Sequence, residues 1–209
     1  LGDQITAIDG QATSTFDEDI SNVTLGSLNN SSTCGVAAPG PGSIASLYSN
    51  FTTSVTAPTL FQGASYPASV TMTSCGGSYG NKSRMWIDFN QSGTYDASEL
   101  VLDGALTTGN HTATSTVTVP LNAIIGTTGM RVVNVETTGT VLACGTYSWG
   151  ETEDYKIRVL PTQLLYDSSA AYHPLLADVQ PNTVNYMGTS YTKFNVVIAT
   201  ISTDALGGF

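Results

Sequence analysis

Tyr155-Lys156-Ile157-Arg158-Val159 alternates strictly, with Tyr155, Ile157 and Val159 in one phase and both cations in the other. Successive side chains of an extended strand point to opposite faces, so this period of two sends three residues to a core and two to water. Working outward, Met130-Arg131-Val132-Val133-Asn134-Val135-Glu136 reads as a central strand, and Arg84-Met85-Trp86-Ile87-Asp88-Phe89 as a strand running into a polar loop. Ser69 to Ser74 alternates, with Val70 and Met72 on one face. Thr112 to Val119 is extended and stopped by Pro120, and Ile20 to Leu28 reads as one more strand. Asn29 to Thr33 and Pro39-Gly40-Pro41-Gly42 read as a long loop, and Leu121 to Gly126 as a single helical turn.

Seven or more short strands separated by Gly, Pro and Asn turns predict an all-β chain, an antiparallel β-sandwich of jelly-roll or Ig-like type. The expected domain runs over residues 17–160, after a linker or edge strand at 1–16. Pro161 marks a break, and residues 161–209 read as a strand-containing extension or the start of a following β domain. There Phe194 to Ile201 is apolar on both faces, with Phe194, Val196 and Ile198 on one. Such a strand needs a partner on each side, so these residues are the expected interface with another domain, another surface protein or a secretion component. The chain opens on Leu1 and ends on Phe209 directly after Gly207-Gly208, which reads as a piece of something longer.

Composition narrows the function. Of 209 residues only 11% are charged, with 16 acidic against 6 basic side chains, a net charge of −10 and a pI near 4.2. A chain this acidic repels phosphate backbones and anionic lipid surfaces, so no nucleic-acid partner is expected. No apolar run approaches the ~20 residues of a spanning helix, and no membrane insertion is expected. Thr, Ser, Gly and Asn take the place of the missing charges, a surface suited to extracellular sandwiches. Cys34, Cys75 and Cys144 each precede Gly in a polar loop and form no CxxC pair. They point to an oxidising compartment and one disulfide, with the pairing open.

The sharpest local motif is Asp88-Phe89-Asn90-Gln91-Ser92-Gly93-Thr94-Tyr95-Asp96-Ala97-Ser98-Glu99. Counting Asp88 as position one, oxygen donors fall at one, three and five, Gly at six and Glu at twelve. That is the spacing with which a tight loop surrounds a hard cation. Asp88, Asn90, Ser92, Thr94 (through its carbonyl) and Glu99 are the expected ligands, and Ca2+ the expected ion. The competing reading is an Asx-rich turn that holds itself with side-chain bonds. A second acidic cluster, Glu151, Glu153 and Asp154, invites a glycosidase reading. Yet Glu151 and Glu153 lie on one face of one extended segment, about 7 Å apart, whereas a catalytic pair sits across a cleft. A second oxygen cluster near the cation, or hydrogen bonding at the start of a strand, remain as alternatives. His111 and His173 sit in loops, and no G-x-S-x-G elbow occurs. Tyr147 and Trp149, in a Gly-rich loop, are candidates for glycan contact, while Trp86 reads as core.

Several segments together resemble the GEVED domain, a module of large secreted bacterial proteins. The pentapeptide appears as Gly150-Glu151-Thr152-Glu153-Asp154, followed by Tyr155. Its strand and loop appear as Trp86-Ile87-Asp88-Phe89-Asn90-Gln91-Ser92-Gly93, and its VP…A…G…MR stretch as Val119-Pro120, Ala123, Gly126 and Met130-Arg131. Further matches are Ile20, Val23, Leu25-Gly26, Leu28-Asn29-Asn30 and Ser32, and the string Tyr48-Ser49-Asn50-Phe51-Thr52. The resemblance spans residues 17 to 160. Ser92 and Asn50 depart from it, each standing where Asp is usual and removing negative charge from expected ligands. The resemblance implies a non-catalytic extracellular sandwich, used in adhesins and surface structures and exported by the type IX secretion route. It also implies a Cys34–Cys144 disulfide, with Cys75 free. The runner-up function is a carbohydrate-binding module attached to a secreted hydrolase.

Overall fold

A computed structural model describes residues 11–13, 18–162, 182–186 and 189–193. The chain divides into two compact units, residues 1–163 and 164–209. In chain order the strands are β1 (Gln11–Ala12), β2 (Glu18–Leu25), β3 (Leu28–Ser31), β4 (Tyr48–Asn50), β5 (Thr59–Phe61), β6 (Ser65–Ser74), β7 (Gly80–Ile87), β8 (Leu100–Asp103), β9 (Thr107–Thr108), β10 (His111–Thr118), β11 (Gly126–Glu136), β12 (Thr146–Tyr147), β13 (Gly150–Leu160), β14 (Asn182–Tyr186) and β15 (Thr189–Lys193). The helical element among the described residues is a 3-10 turn, Ala97–Glu99.

The first unit is a sandwich. One sheet has the order β10-β6-β2-β3, and the other has β4-β13-β11-β7-β8, with β5 also beside β13 and β9 beside β7. Pairing is antiparallel through both sheets, except that the short edge strands β4 and β5 run parallel to β13. The alternation in β13 is realised: Tyr155, Ile157 and Val159 are buried, and Lys156 and Arg158 are exposed. Facing them across the interior are Ile20, Val23, Leu25, Leu28, Val70 and Met72, all in one apolar cluster. The Phe51 and Tyr155 rings stack within it at 5.2 Å.

Two local readings change. The segment expected as one strand through Leu28 is a hairpin: Gly26 adopts φ +58°, and a two-residue turn brings Leu25 opposite Leu28. Glycine carries no Cβ to oppose that conformation, and the turn returns both leucines to the core. Part of the expected loop at Asn29 to Thr33 is therefore β3. The expected helical turn at 121–126 is a tight turn in which the Ala123 N–H donates to Pro120 O at 3.1 Å, with Ala123 buried.

The seven-stranded sheet also buries its outer face. Trp86, Val133 and Val135 pack there under Val141 and Ala143, against Tyr95, Leu100 and Tyr147. The loop carrying Val141 and Ala143 is held down by two arginines: Arg84 donates to Val141 O at 2.9 Å and Arg131 to Ala143 O at 3.1 Å. In the second unit, β14 and β15 pair as an antiparallel hairpin. The expected strand at Phe194 to Ile201, with its interface residues Phe194, Val196 and Ile198, lies outside the described residues.

Candidate functional site

The loop from Asp88 to Glu99 joins β7 to β8. Gly93 takes φ +81° at the turn, the position where the motif requires Gly. Asp88 accepts from the Ser92 N–H through Oδ1 and the Gly93 N–H through Oδ2, both at 3.0 Å. Asn90 Oδ1 also accepts from Ser92 N–H, at 2.8 Å. From the far end, Glu99 accepts the Asn90 N–H at 3.1 Å through Oε1 and the Asp96 N–H at 3.0 Å through Oε2. Asp88 and Glu99 are 3% and 4% exposed. The ion pairs among the described residues fall elsewhere, on Arg84–Asp103 and Arg131–Asp154. The loop thus carries the side-chain bonds of a self-held turn. Those bonds also orient its oxygens, and an oxygen that accepts one N–H keeps a second lone pair. The donors are all oxygen and two are carboxylates, a set that fits a hard cation.

Strand alternation divides the second acidic cluster between two faces of β13. Asp154 goes to the outer face, directly across from Arg131 on β11. The two form a bidentate ion pair, both contacts at 2.7 Å, and the Tyr48 O–H donates to Asp154 Oδ2 at 2.8 Å. Arg131 lies 5.6 Å from the Tyr95 ring centre as well. Burial opposes its charge, but the Asp154 hydrogen bond and carboxylate reverse that and raise its pKa; burial and then Asp154 push the Tyr48 hydroxyl up.

Glu151 and Glu153 point to the other face. Glu151 accepts the Ser49 O–H at 2.6 Å and the Ile20 N–H at 3.0 Å, and Glu153 accepts from Ser32 at 3.0 Å and from Tyr155 at 2.7 Å. Burial, then the Glu153 charge and the nearby Asp19 carboxyl, hold the Glu151 carboxyl well above its ordinary range. Burial pushes Glu153 up to about 8, against the hydrogen bonds from Tyr155 and Ser32. Glu151, Glu153 and Asp154 are each at most 2% exposed.

The disulfide is Cys34–Cys75, with Cα atoms 5.7 Å apart, and Cys144 is free and exposed. This corrects the expected Cys34–Cys144 bond. β3 and β6 both run antiparallel to β2, so both head towards its start, Ser31 ending opposite Asn22 and Ser74 opposite Glu18. Cys34 and Cys75 follow those two ends. Cys144 instead lies in the loop over the outer face of the other sheet, its Sγ 3.9 Å from the Arg131 guanidinium. Of the glycan candidates, Trp149 is 44% exposed. Tyr147 is partly buried, and its hydroxyl bonds Thr152 at 2.6 Å. Sequence reading assigns no role to Asp19, Arg131 or Asn134. A lone cation inside the apolar run of β11 is the signal that marks Arg131 as needing a buried acid.

No curated protein matches the chain. Among solved structures, it is similar to one described as a family 123 glycoside hydrolase from Clostridium perfringens that hydrolyses glycolipid glycans. The two are 13% identical, the alignment covers 56% of this chain and 24% of that one, and the TM-score is 0.32. So slight a likeness assigns neither fold nor activity. A family model does match: residues 82–158 match that of the GEVED domain. The motifs at Ile20 to Ser32 and Tyr48 to Thr52 fall outside the matched stretch. Within it lie the loop from Asp88 to Glu99, the Arg131–Asp154 pair and the pentapeptide that opens β13, so the family match covers residues 82–158 and both acidic sites in them.

Proposed function

We propose that this chain is a non-catalytic, calcium-stabilised extracellular module of a large secreted or cell-surface bacterial protein. It serves as part of an adhesin or surface structure and travels by the type IX secretion route. The observation that carries the reading is the burial of Glu151, Glu153 and Asp154, each at most 2% exposed. Carboxylates that work on a substrate line a cleft, whereas these hold β2, β4, β11 and Ser32, just after β3, against β13. The disulfide supports an oxidising compartment. Among the described residues no helix is long and apolar enough to cross a membrane.

In this reading the loop from Asp88 to Glu99 holds Ca2+ through Asp88, Asn90, Ser92, the Thr94 carbonyl and Glu99. Binding to the folded state alone adds RT ln(1 + [L]/Kd), about 2.7 kcal/mol at a hundredfold excess over Kd. The melting temperature is expected to rise in millimolar calcium and fall in chelator, and Asp88→Ala or Glu99→Ala to shrink that difference. Equal melting of wild type with calcium and with chelator, in protein shown to be metal-free, defeats the calcium reading. The second reading, a carbohydrate-binding module attached to a secreted hydrolase, is favoured by the exposed Trp149 ring. Glycan-array binding that disappears in Trp149→Ala would select it.

A further inference from the structure

The sandwich interior is not apolar throughout. Ser83, Asn134 and Glu151 are directly paired neighbours on β7, β11 and β13, so they share one face of the sheet, and each is at most 2% exposed. The next two rows on that face, Met85–Val132–Glu153 and Ile87–Met130–Tyr155, belong to or border the apolar core. In the first row, Asn134 is wholly buried with neither Oδ1 nor Nδ2 in a hydrogen bond, and Ser83 Oγ is buried without a partner too. Asp19 reaches this row from the start of β2. It is 2% exposed, its Oδ1 accepts no hydrogen bond, and the N–H of the next residue, Ile20, donates to Glu151 Oε2 at 3.0 Å, which sets the two buried carboxyl groups side by side. Glu151 is fixed in place by the Ser49 O–H and the Ile20 N–H.

Two buried carboxyl groups in contact are tolerated only with a proton or a cation between them. A shared proton satisfies Asp19 and Glu151 but offers nothing to the Asn134 amide oxygen. A cation between the carboxyl groups would also offer a partner to the buried amide oxygen of Asn134, which stands beside Glu151 in the row. We propose that Asp19, Glu151 and Asn134 hold a calcium ion at this polar end of the interior, joining β2 of one sheet to β11 and β13 of the other. The donors are oxygens. The sulfurs of Cys34 and Cys75 lie within 4.8 Å of an Asp19 oxygen but are spent in the disulfide, which removes the thiolates that zinc favours. Calcium accepts irregular oxygen geometry with carboxylates, amide oxygens and water together, whereas magnesium demands a near-ideal octahedron. The site shares no residue with the Asp88–Glu99 loop and does not rest on calcium binding there.

The test is calcium stoichiometry, by calorimetric titration of the decalcified 209-residue chain with calcium chloride. Asp19→Asn and Glu151→Gln, which keep side-chain shape, are each expected to lose one equivalent of bound calcium. The double loop variant Asp88→Asn with Glu99→Gln should still bind one. If the loop does not bind calcium, wild type binds one equivalent, and Asp19→Asn removes it. Asp19→Asn and Glu151→Gln that bind as much calcium as wild type overturn the site. So does a folded double loop variant that binds none, which settles the matter even if the Asp19 and Glu151 variants do not fold.

Discussion

Arg131 shows how much one side chain can hold. It is 1% exposed, in a strand whose neighbours Val132 and Val133 are fully buried, and it lies between the Asp154 carboxylate, the Tyr95 ring and Ala143 O. A buried ion pair adds little net stability as a pair, because desolvation cancels much of the attraction. Removing one partner alone leaves an uncompensated charge inside and costs about 3–5 kcal/mol. Arg131→Met and Asp154→Asn are therefore unequal changes. The first strands a carboxylate and releases the loop over Trp86, and is expected to cost the upper part of that range in urea unfolding. Asp154→Asn keeps an acceptor for the guanidinium and should cost less. Reading the sequence for charge shows that Arg131 needs an acid. It does not show which of Glu151, Glu153 and Asp154 is the partner, because that depends on the register of β11 against β13.

At the scale of elements, what is legible in the chain is what is local. Period-two alternation at Tyr155 to Val159, the sharp Gly93 turn and the stop at Pro120 are each contained within a few residues, and the fold class follows from them. The hairpin at Gly26 was hidden because Asn29 and Asn30 look like loop residues, although the turn geometry carries them into β3. The disulfide was hidden for a different reason. Cys34 and Cys75 meet because β3 and β6 flank the same strand, a relation between segments 41 residues apart that no local pattern records. Asp19 and Glu151 meet across 132 positions for the same kind of reason, and only one of them lies in the pentapeptide. In the chain-entropy model the 41-residue separation closed by the disulfide contributes up to about 4 kcal/mol. Non-reducing peptide mapping is expected to recover Cys34 linked to Cys75 and Cys144 open to alkylation. Reduction, or Cys75→Ser, should lower stability by up to the same figure. A linked Cys34–Cys144 peptide would reject the arrangement.

For the molecule as a whole, the question is whether the sandwich needs the chain beyond it. Its apolar cluster draws on residues from Ile20 to Val159, and its outer-face cluster on residues from Trp86 to Ala143. Among the described residues both sheets take their strands from β2 to β13, and the disulfide and the Arg131–Asp154 pair also close within the first unit. A unit of about 150 residues buries enough apolar surface to fold alone. A chain ending at residue 163 is therefore expected to unfold in one cooperative step. Its melting temperature should lie within about 2–4 °C of the matching transition in the 209-residue chain, the shift that 1 kcal/mol produces at this size. Calcium should raise both by the same amount, because the loop and the polar row lie in the shared part. Calorimetry of the two chains decides it. A shortened chain that melts without cooperativity, or that loses its response to calcium while the longer one keeps it, would mean that the second unit completes the sandwich, and that the first unit's contacts alone do not account for its stability.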